Sequence, residues 1–427
     1  MATTTQLLET MRYTYAPGRV RKLMNLSVPT YRILDKRRSP VGGRGQWMVP
    51  ILNKLPGAWS GITEGGTVPT AIDPDSSEAT FSLQEFAGSY SVSWKLLQDA
   101  RSDKYALETV ATLMDQGMKD KIFKHVNADV IDDGRGRLFV LPAADDQATI
   151  TVSSFPSCVI GDVVDVMDTD NDTVHEDSAS VTAVTIGTDG TYTVTLSAAP
   201  DTTGAGDYGV LQDTCDDSQN DSLHMNGLLG IIDDANPAAV VGNYGAINRS
   251  TAGNEFWESA VLSNSGSNRA LTEDLLLQAF QYARLKGGGQ TKAIISNENL
   301  IRRYHEMLKG DLIYSFGKVE PLSGGSGRKG DAEKRDDTGS TPYQFSGVPW
   351  HVDPHFQANT IVGIDTNHLW IGHGENATPM PVNEIFEGVE KYRRGTTAAF
   401  NVDFYWQADL LSDNPAAHWK IEDVAEA

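Results

Sequence analysis

The sequence has only two cysteines, Cys158 and Cys215, among 427 residues. So small a number excludes a disulfide-dense scaffold and any zinc cluster built on cysteine. Long apolar runs are missing as well. Stretches such as Leu228–Ile232 and Ile361–Ile364 fall far short of the roughly 20 residues a helix needs to cross a bilayer, so no membrane partner is expected. The opening Met1-Ala-Thr-Thr-Thr-Gln has no charged segment leading into an apolar one. No secretory signal is visible, and synthesis in a cytoplasm is the expectation.

Positive charge is absent over a long stretch. From Leu138 to Asn248 there is no Lys or Arg, against eighteen Asp and Glu. Taking those eighteen acids from the net charge of −22 leaves −4 for the rest of the chain. Such a balance argues against a protein that coats nucleic acid with its whole surface. The opening segment is the reverse: Met1–Gly45 carries nine Lys or Arg, opposed only by Glu9 and Asp35. The chain is electrically segmented, and its segments are expected to face different surroundings.

Catalytic signatures are missing too. There is no Gly-x-Ser-x-Gly elbow, no His-Glu-x-x-His and no phosphate-binding loop. The glycine-rich run from Gly324 reaches Lys329-Gly330 without the Lys-Ser/Thr pair such a loop ends in, so a flexible loop is the better reading. Asp168-Thr-Asp170-Asn-Asp172 opens like a calcium loop, but its sixth position is Thr173 and its twelfth Ala179, where Gly and Glu belong. An acidic turn is favoured. His351-Val-Asp353-Pro-His355 offers metal-ligand types without a further ligand, and a structural strand-turn is favoured. No cofactor and no catalytic residue is expected.

What is present suffices for real cores: 40% hydrophobic and 8% aromatic residues, in a length that fits two or three packed units. Residues 1–45, broken by Pro17, Gly18, Pro29 and Pro40, read as an extended arm. Residues 46–94 read as one long hairpin. Trp47, Val49 and Ile51 alternate on the way out; Phe81 and Leu83, then Tyr90, Val92 and Trp94, alternate on the return. The two returning sets are out of phase, with Ala87-Gly88 between them, which predicts a bulge. A two-stranded ribbon is marginal alone, so one with Trp59 and Ile62 near its tip needs a surface to lie on.

Leu96–Val130 reads as a long helix, with Leu107, Val110, Met114, Met118, Ile122 and Val126 at three- and four-residue spacing. Residues 143–222 form an acidic insertion. Val181, Val184 and Ile186, then Gly187–Gly190, then Tyr192, Val194 and Leu196 give a hairpin pattern, and the insertion is expected to be all-β. Residues 223–381 return to mixed α/β. There Thr272 is placed to cap a helix with Leu275, Leu276, Ala279, Phe280 and Ala283 on its buried face, closed by Lys286-Gly287. A short strand at Lys292–Ile295 leads through Ser296-Asn297 into another helix, and Leu322–Thr341 is a loop. In 382–427, Phe400, Val402, Phe404 and Trp406 alternate as a late strand.

The order of arm, long hairpin, long helix, β insertion, α/β unit and late strand resembles the major capsid proteins of tailed bacteriophages. Locally, Phe345-Ser-Gly347-Val-Pro349-Trp350-His-Val-Asp353 followed by Asn359-Thr-Ile-Val-Gly-Ile-Asp365 is similar to that family's Gly–apolar–Pro entry to a strand and second apolar strand ending in Asp. The strand-to-helix passage Lys292–Leu300 also resembles the family's axial domain. The resemblance implies an α+β, Hong-Kong-97-type fold: N-terminal arm 1–45, extended loop 46–94, spine helix and start of the peripheral domain 95–142, β insertion 143–222, axial domain 223–381, and return strand with C-terminus 382–427. It implies a non-enzymatic shell subunit forming hexamers and pentamers around double-stranded DNA in a virion, with portal, scaffolding and decoration proteins as partners. Scaffolding is expected to be a separate protein.

Inter-subunit contacts are then expected at Arg37 and Arg38 of the arm and at Lys54, Trp59, Ile62 and Glu64 of the extended loop. Deleting Asn53–Ala79 is expected to leave a soluble fold that cannot close shells. Covalent cross-linking through Lys54 is not expected, because no partner for it can be identified. Cys158 and Cys215 could pair in a disulfide if close in space, although two free buried thiols are favoured in a reducing cytoplasm. An encapsulin-like compartment, or a carbohydrate-binding or hydrolytic protein built on the insertion, remain as rival readings.

Overall fold

A computed structural model describes residues 28–38, 46–54, 57–70, 73, 75–93, 104–169, 174–187, 191–216, 221–238, 241–309, 343–381, 393–394 and 399–426. The side chains of 104–113 and of Lys54 are outside that description. So are most of the basic arm, the loop 322–341 and the glycine-rich run from Gly324.

The long helix runs Lys104–Ile131, 28 residues, which at 1.5 Å per residue spans about 42 Å. Its last two turns are mostly buried: Val126, Val130 and Ile131 enter the largest core, and Ala128 enters the core of the insertion. Asp132 and Asp133 end it, each paired with arginine just beyond: Asp132 with Arg137 at 2.6 Å, Asp133 with Arg135 at 2.9 Å and Arg137 at 3.1 Å.

Three six-stranded sheets organise the described residues. The first is built on the late strand Ala399–Ser412, whose alternating Val402, Phe404, Trp406, Ala408 and Leu410 are buried. One edge of it takes Gln84–Ser93, paired from Ala399↔Ser93 to Ala408↔Gln84 without a register shift. The other takes Leu369–His373, which in turn pairs in parallel with Asp35–Arg38.

This arrangement corrects the reading of residues 46–94 as one hairpin with a bulge. Gln46–Lys54 pairs with Asp75–Ser82 as a separate ribbon, and the chain changes sheets at Leu83. The alternation shifts phase there because the sheet changes, not because a residue is inserted. Gly88 faces the long helix instead. A Cβ on it would lie 2.5 Å from Cε of Met118, the flexible end of a side chain on that helix.

The second sheet, in the order Ala260–Leu262, Trp419–Ile421, Ile361–Ile364, Ala293–Ser296, Val348–Val352, Tyr343–Phe345, belongs to the α/β unit. Helices Glu273–Gly287 and Glu298–Lys309 pack on one face through Leu276, Ala279, Leu300 and Tyr304, while Ile295 and Val362 face the largest core. With both faces covered, Ala293–Ser296 and Ile361–Ile364 are buried at every position, and their continuous apolar character follows. The Thr272 hydroxyl accepts from the Leu275 N–H at 3.2 Å, as its position predicts. The helix runs one residue past the expected stop, closing at Gly288 with φ +69.

The third sheet is the acidic insertion, with Ile150, Val164, Val166, Val181 and Val194 inside. It takes in Phe139–Val140, ahead of residue 143. Cys158 and Cys215 are both buried and form no disulfide, and they belong to different clusters of the insertion's core, Cys158 with Ile150 and Val164, Cys215 with Met167 and Tyr208. Of the two readings, the structure has the separate buried thiols and not the disulfide.

Candidate assembly interfaces

The ribbon of Gln46–Lys54 and Asp75–Ser82 has two unlike ends. At its base, Trp47, Val49 and Ile51 point inward and Met48, Pro50 and Leu52 outward, as a half-buried strand requires. Trp47 lies 5.4 Å from Trp370 and 5.6 Å from Phe81, and Phe81 lies 5.1 Å from Tyr244. Ala79 is wholly buried. The base is a wall of the subunit's own core.

The tip is the opposite. Of residues 57–70, every one except Pro69 is exposed. Trp59 is 99% accessible, Val68 73% and Ile62 56%, and Glu64 is exposed beside them. Gly65 takes φ +79 in a turn closed by the Gly66 N–H on the Thr63 carbonyl at 2.8 Å, which matches a type II turn with its glycine at the third position. Trp59 and Ile62 precede that turn and Val68 follows it, so three large apolar side chains stand exposed around it, a feature that makes the tip a candidate contact surface. Lys54 sits across from Asp75 at a register irregularity where the ribbon's paired region ends.

The structure separates the expected contact residues. Trp59, Ile62 and Glu64 share the projecting tip. Arg37 and Arg38 do not join them: they lie on the strand paired with Leu369–His373, where the Arg37 guanidinium covers the Trp370 ring at 4.6 Å and Arg38 approaches Glu375 at 4.0 Å. The end of the arm is fastened to its own subunit. The Thr30 hydroxyl donates to Asp353 at 2.6 Å, Asn127 donates to the same carboxylate at 2.9 Å, and the Tyr31 N–H donates to Asn127 at 3.0 Å. Asp353 also accepts from the His355 N–H at 3.0 Å, so His351-Val-Asp353-Pro-His355 is a strand-turn whose acid ties arm, helix and α/β unit together.

The contacts of a buried acid of the insertion with the long helix were not foreseen. Asp162, fully buried in the insertion, meets Lys121 at 2.5 Å and His125 at 3.4 Å. Burial alone would raise its carboxyl; His125 and Lys121 hold it well below the usual carboxylate range. Lys124 donates to the Cys158 carbonyl at 3.1 Å, and burial lowers its ammonium. A sequence signal existed: Lys121, Lys124 and His125 lie within two turns, just before a domain with no basic residue.

One group of side chains in the insertion has metal-ligand character. Asp168, His175 and Asp207 bring their ligand atoms within 4.8 Å of one another, a set that could receive a divalent cation. Asp207 is already engaged, accepting from the Gly204 N–H at 2.6 Å and the Thr169 N–H at 3.3 Å, with His175 at 3.2 Å. The residues around Asp170 and Asp172 lie outside the described part of the chain. Two clefts of about 180 and 250 Å³ lie where Ser153–Phe155 of the insertion approach His355 and Asn297–Asn299.

No family model and no curated protein matches the sequence. Among solved structures the chain is similar to a subunit of the cyanophage A-1(L) capsid, with a TM-score of 0.55 over 96% of this chain and 97% of that one, at 12% identity. The capsid of a native GTA particle matches over 97% and 96% at 11% identity with a TM-score of 0.47. The holo-SrpI encapsulin of Synechococcus elongatus matches over 98% and 96% at 9% identity with a TM-score of 0.44. The last two scores are too low to favour either. The first covers the whole architecture, and the chain has the Hong-Kong-97-type capsid fold.

Proposed function

We propose that this chain is the major capsid protein of a tailed bacteriophage, a structural subunit that assembles into hexamers and pentamers of an icosahedral head around double-stranded DNA. The observation that carries this reading is the hairpin tip. On a capsid fold, Trp59, Ile62 and Val68 stand in solvent at the end of a ribbon whose base is fully packed. Burying them against a neighbour removes apolar area from water at about 25 cal/mol per Å². Repeated over every subunit of a shell, modest contacts of this kind suffice, and the subunit's role is geometric and not catalytic. Trp59, Ile62 and Glu64 are the assigned contacts, with Lys54 at the end of the paired ribbon; Arg37 and Arg38 follow as a basic edge for acidic neighbours or packaged DNA.

Portal and scaffolding proteins are the partners such a shell requires, and a decoration protein is a further one. The insertion, with no Lys or Arg and sixteen of the eighteen acids, would repel packaged DNA and is assigned to the outer surface. The subunit is made in the host cytoplasm and resides in the virion.

Electron microscopy of the purified protein, alone and with a neighbouring scaffold gene product, tests the reading: closed shells or capsomer rings are expected. A persistent monomer under both conditions overturns it. The companion variant replaces residues 57–70 by a short Gly-Ser link. Deleting Asn53–Ala79 would be a poorer test, because Asp75–Ser82 is a paired strand and Ala79 is core. The trimmed variant is expected to stay folded and form no shells.

A further inference from the structure

His224 stands where the chain leaves the insertion, and its surroundings specify its protonation state. The ring is buried. Its Nδ1 lies 2.9 Å from Oδ1 of Asp129 on the long helix, and its Nε2 lies 2.8 Å from the hydroxyl of Thr214 at the end of the insertion. The Thr214 hydroxyl lies 2.5 Å from the Leu211 carbonyl. A carbonyl can only accept, so the single hydroxyl proton of Thr214 points at Leu211. The same oxygen can then only accept from His224, and Nε2 must carry a proton. The Asp129 carboxylate can likewise only accept, so Nδ1 must carry one as well. The chain Asp129–His224–Thr214–Leu211 is complete only with an imidazolium.

We propose that His224 is a proton-operated latch that holds the described residues at the exit of the insertion, 211–216 and 221–222, against the long helix and releases them when the ring loses its proton. Loss of either proton sets two acceptors face to face in a buried site, where an unmade hydrogen bond costs most. The latched segment is short: Cys215–Asp216 pairs with Asp221–Ser222, and Ser222 donates to the Gly134 carbonyl at 2.8 Å. Leu223 donates its N–H to the Thr214 carbonyl at 3.0 Å, so the two sides of the exit also hold each other. Gly136, φ +72, lies against the ring, where a Cβ would meet it at 2.3 Å; no side chain intervenes.

The charges facing the ring come from the long helix and its end. Asp129 contacts it directly, and Asp132, itself paired with Arg137, adds to the negative field. Thr214 brings only a hydroxyl from the insertion. Burial works against the cation, and Asp129 outweighs burial, so the ring's pKa lies above its ordinary value. The sign follows: the latch is closed at low pH and weakens as pH rises through the folded value. Between the ordinary histidine pKa of about 6.5 and that folded value, local opening should increase about tenfold per pH unit.

Hydrogen–deuterium exchange on the full-length protein across pH 6 to 9, corrected for intrinsic exchange, tests this. The wild type should lose protection over 211–224 as pH rises, while the second sheet keeps its protection. His224→Gln, which cannot titrate, should show no such pH dependence, and Thr214→Val, which removes one acceptor of the cation, should move the transition to lower pH. A wild type with pH-independent protection over 211–224 overturns the latch. So does a folded His224→Gln that retains the same transition. If His224→Gln does not fold, the Thr214→Val shift decides alone.

Discussion

The base and the tip of one ribbon put the same kinds of residue to opposite uses. At the base, Trp47 and Phe81 are packed against Trp370 and Tyr244 of their own chain. At the tip, Trp59 and Ile62 touch nothing comparable, and Trp59 is 99% accessible. The difference teaches that hydrophobicity states a need for burial but not who meets it. The base is buried by the fold; the tip is left exposed.

The largest expected effect is at the base. Phe81→Ala opens a cavity beside Tyr244 and should cost about 3–5 kcal/mol of folding stability, read from the midpoint of denaturant unfolding. A loss under about 1 kcal/mol would mean the base is not part of the core and the contrast fails. At the tip, Trp59→Ala should leave folding stability within about 0.5 kcal/mol. It should weaken association by about 2 kcal/mol or more per contact, seen as a raised critical concentration for shells. If it destabilises the monomer while shells form normally, the tip belongs to its own subunit.

A third measurement sharpens the contrast through pH. Asp409, on the late strand, accepts from both N–H groups of Asn226 at 2.8 and 2.9 Å and from the Leu410 N–H at 2.9 Å, yet burial pushes it up to about 7. A carboxyl raised in the fold favours the folded state most when protonated. Its contribution to stability should therefore fall as pH rises from about 4 to 7, by at most about 1.4 kcal/mol per unit, against the opposite contribution of the buried His418, whose pKa burial lowers to about 3. Asp409→Asn should remove that slope, whereas tip variants should keep it; an unchanged slope in Asp409→Asn assigns it elsewhere. The smallest effect is a control remote from the ribbon. Thr272→Ala removes one helix cap and should cost about 1 kcal/mol in thermal melts, with shell yield unaffected.

Much of the fold was legible because it rests on local chemistry. Trp47–Ile51 and Phe400–Trp406 alternate because one face of each strand is buried, and Thr272 caps its helix three residues from the N–H it accepts. The long helix showed in its apolar spacing, and the insertion in its hairpin pattern and its lack of positive charge. The tip was legible too, since Trp59 and Ile62 in a run of Gly, Pro and Thr have no periodic element to bury them. The change of sheet at Leu83 was not, because a phase shift in alternation looks alike whether a residue is inserted or the partner strand changes.

The sequence by itself determined the long helix, the late strand, the β character of the insertion, the segregation of charge and the apolar tip, for these follow from side-chain periodicity and composition over a few residues. Only the tertiary structure decided that Arg37 serves Trp370, that Asp353 gathers Thr30 and Asn127 from 323 and 226 residues away, and that Asp129 and Thr214 meet at His224. A hydrogen bond or ion pair takes its character from the group about 3 Å away, and when that group is hundreds of residues off in the chain, no local pattern encodes it.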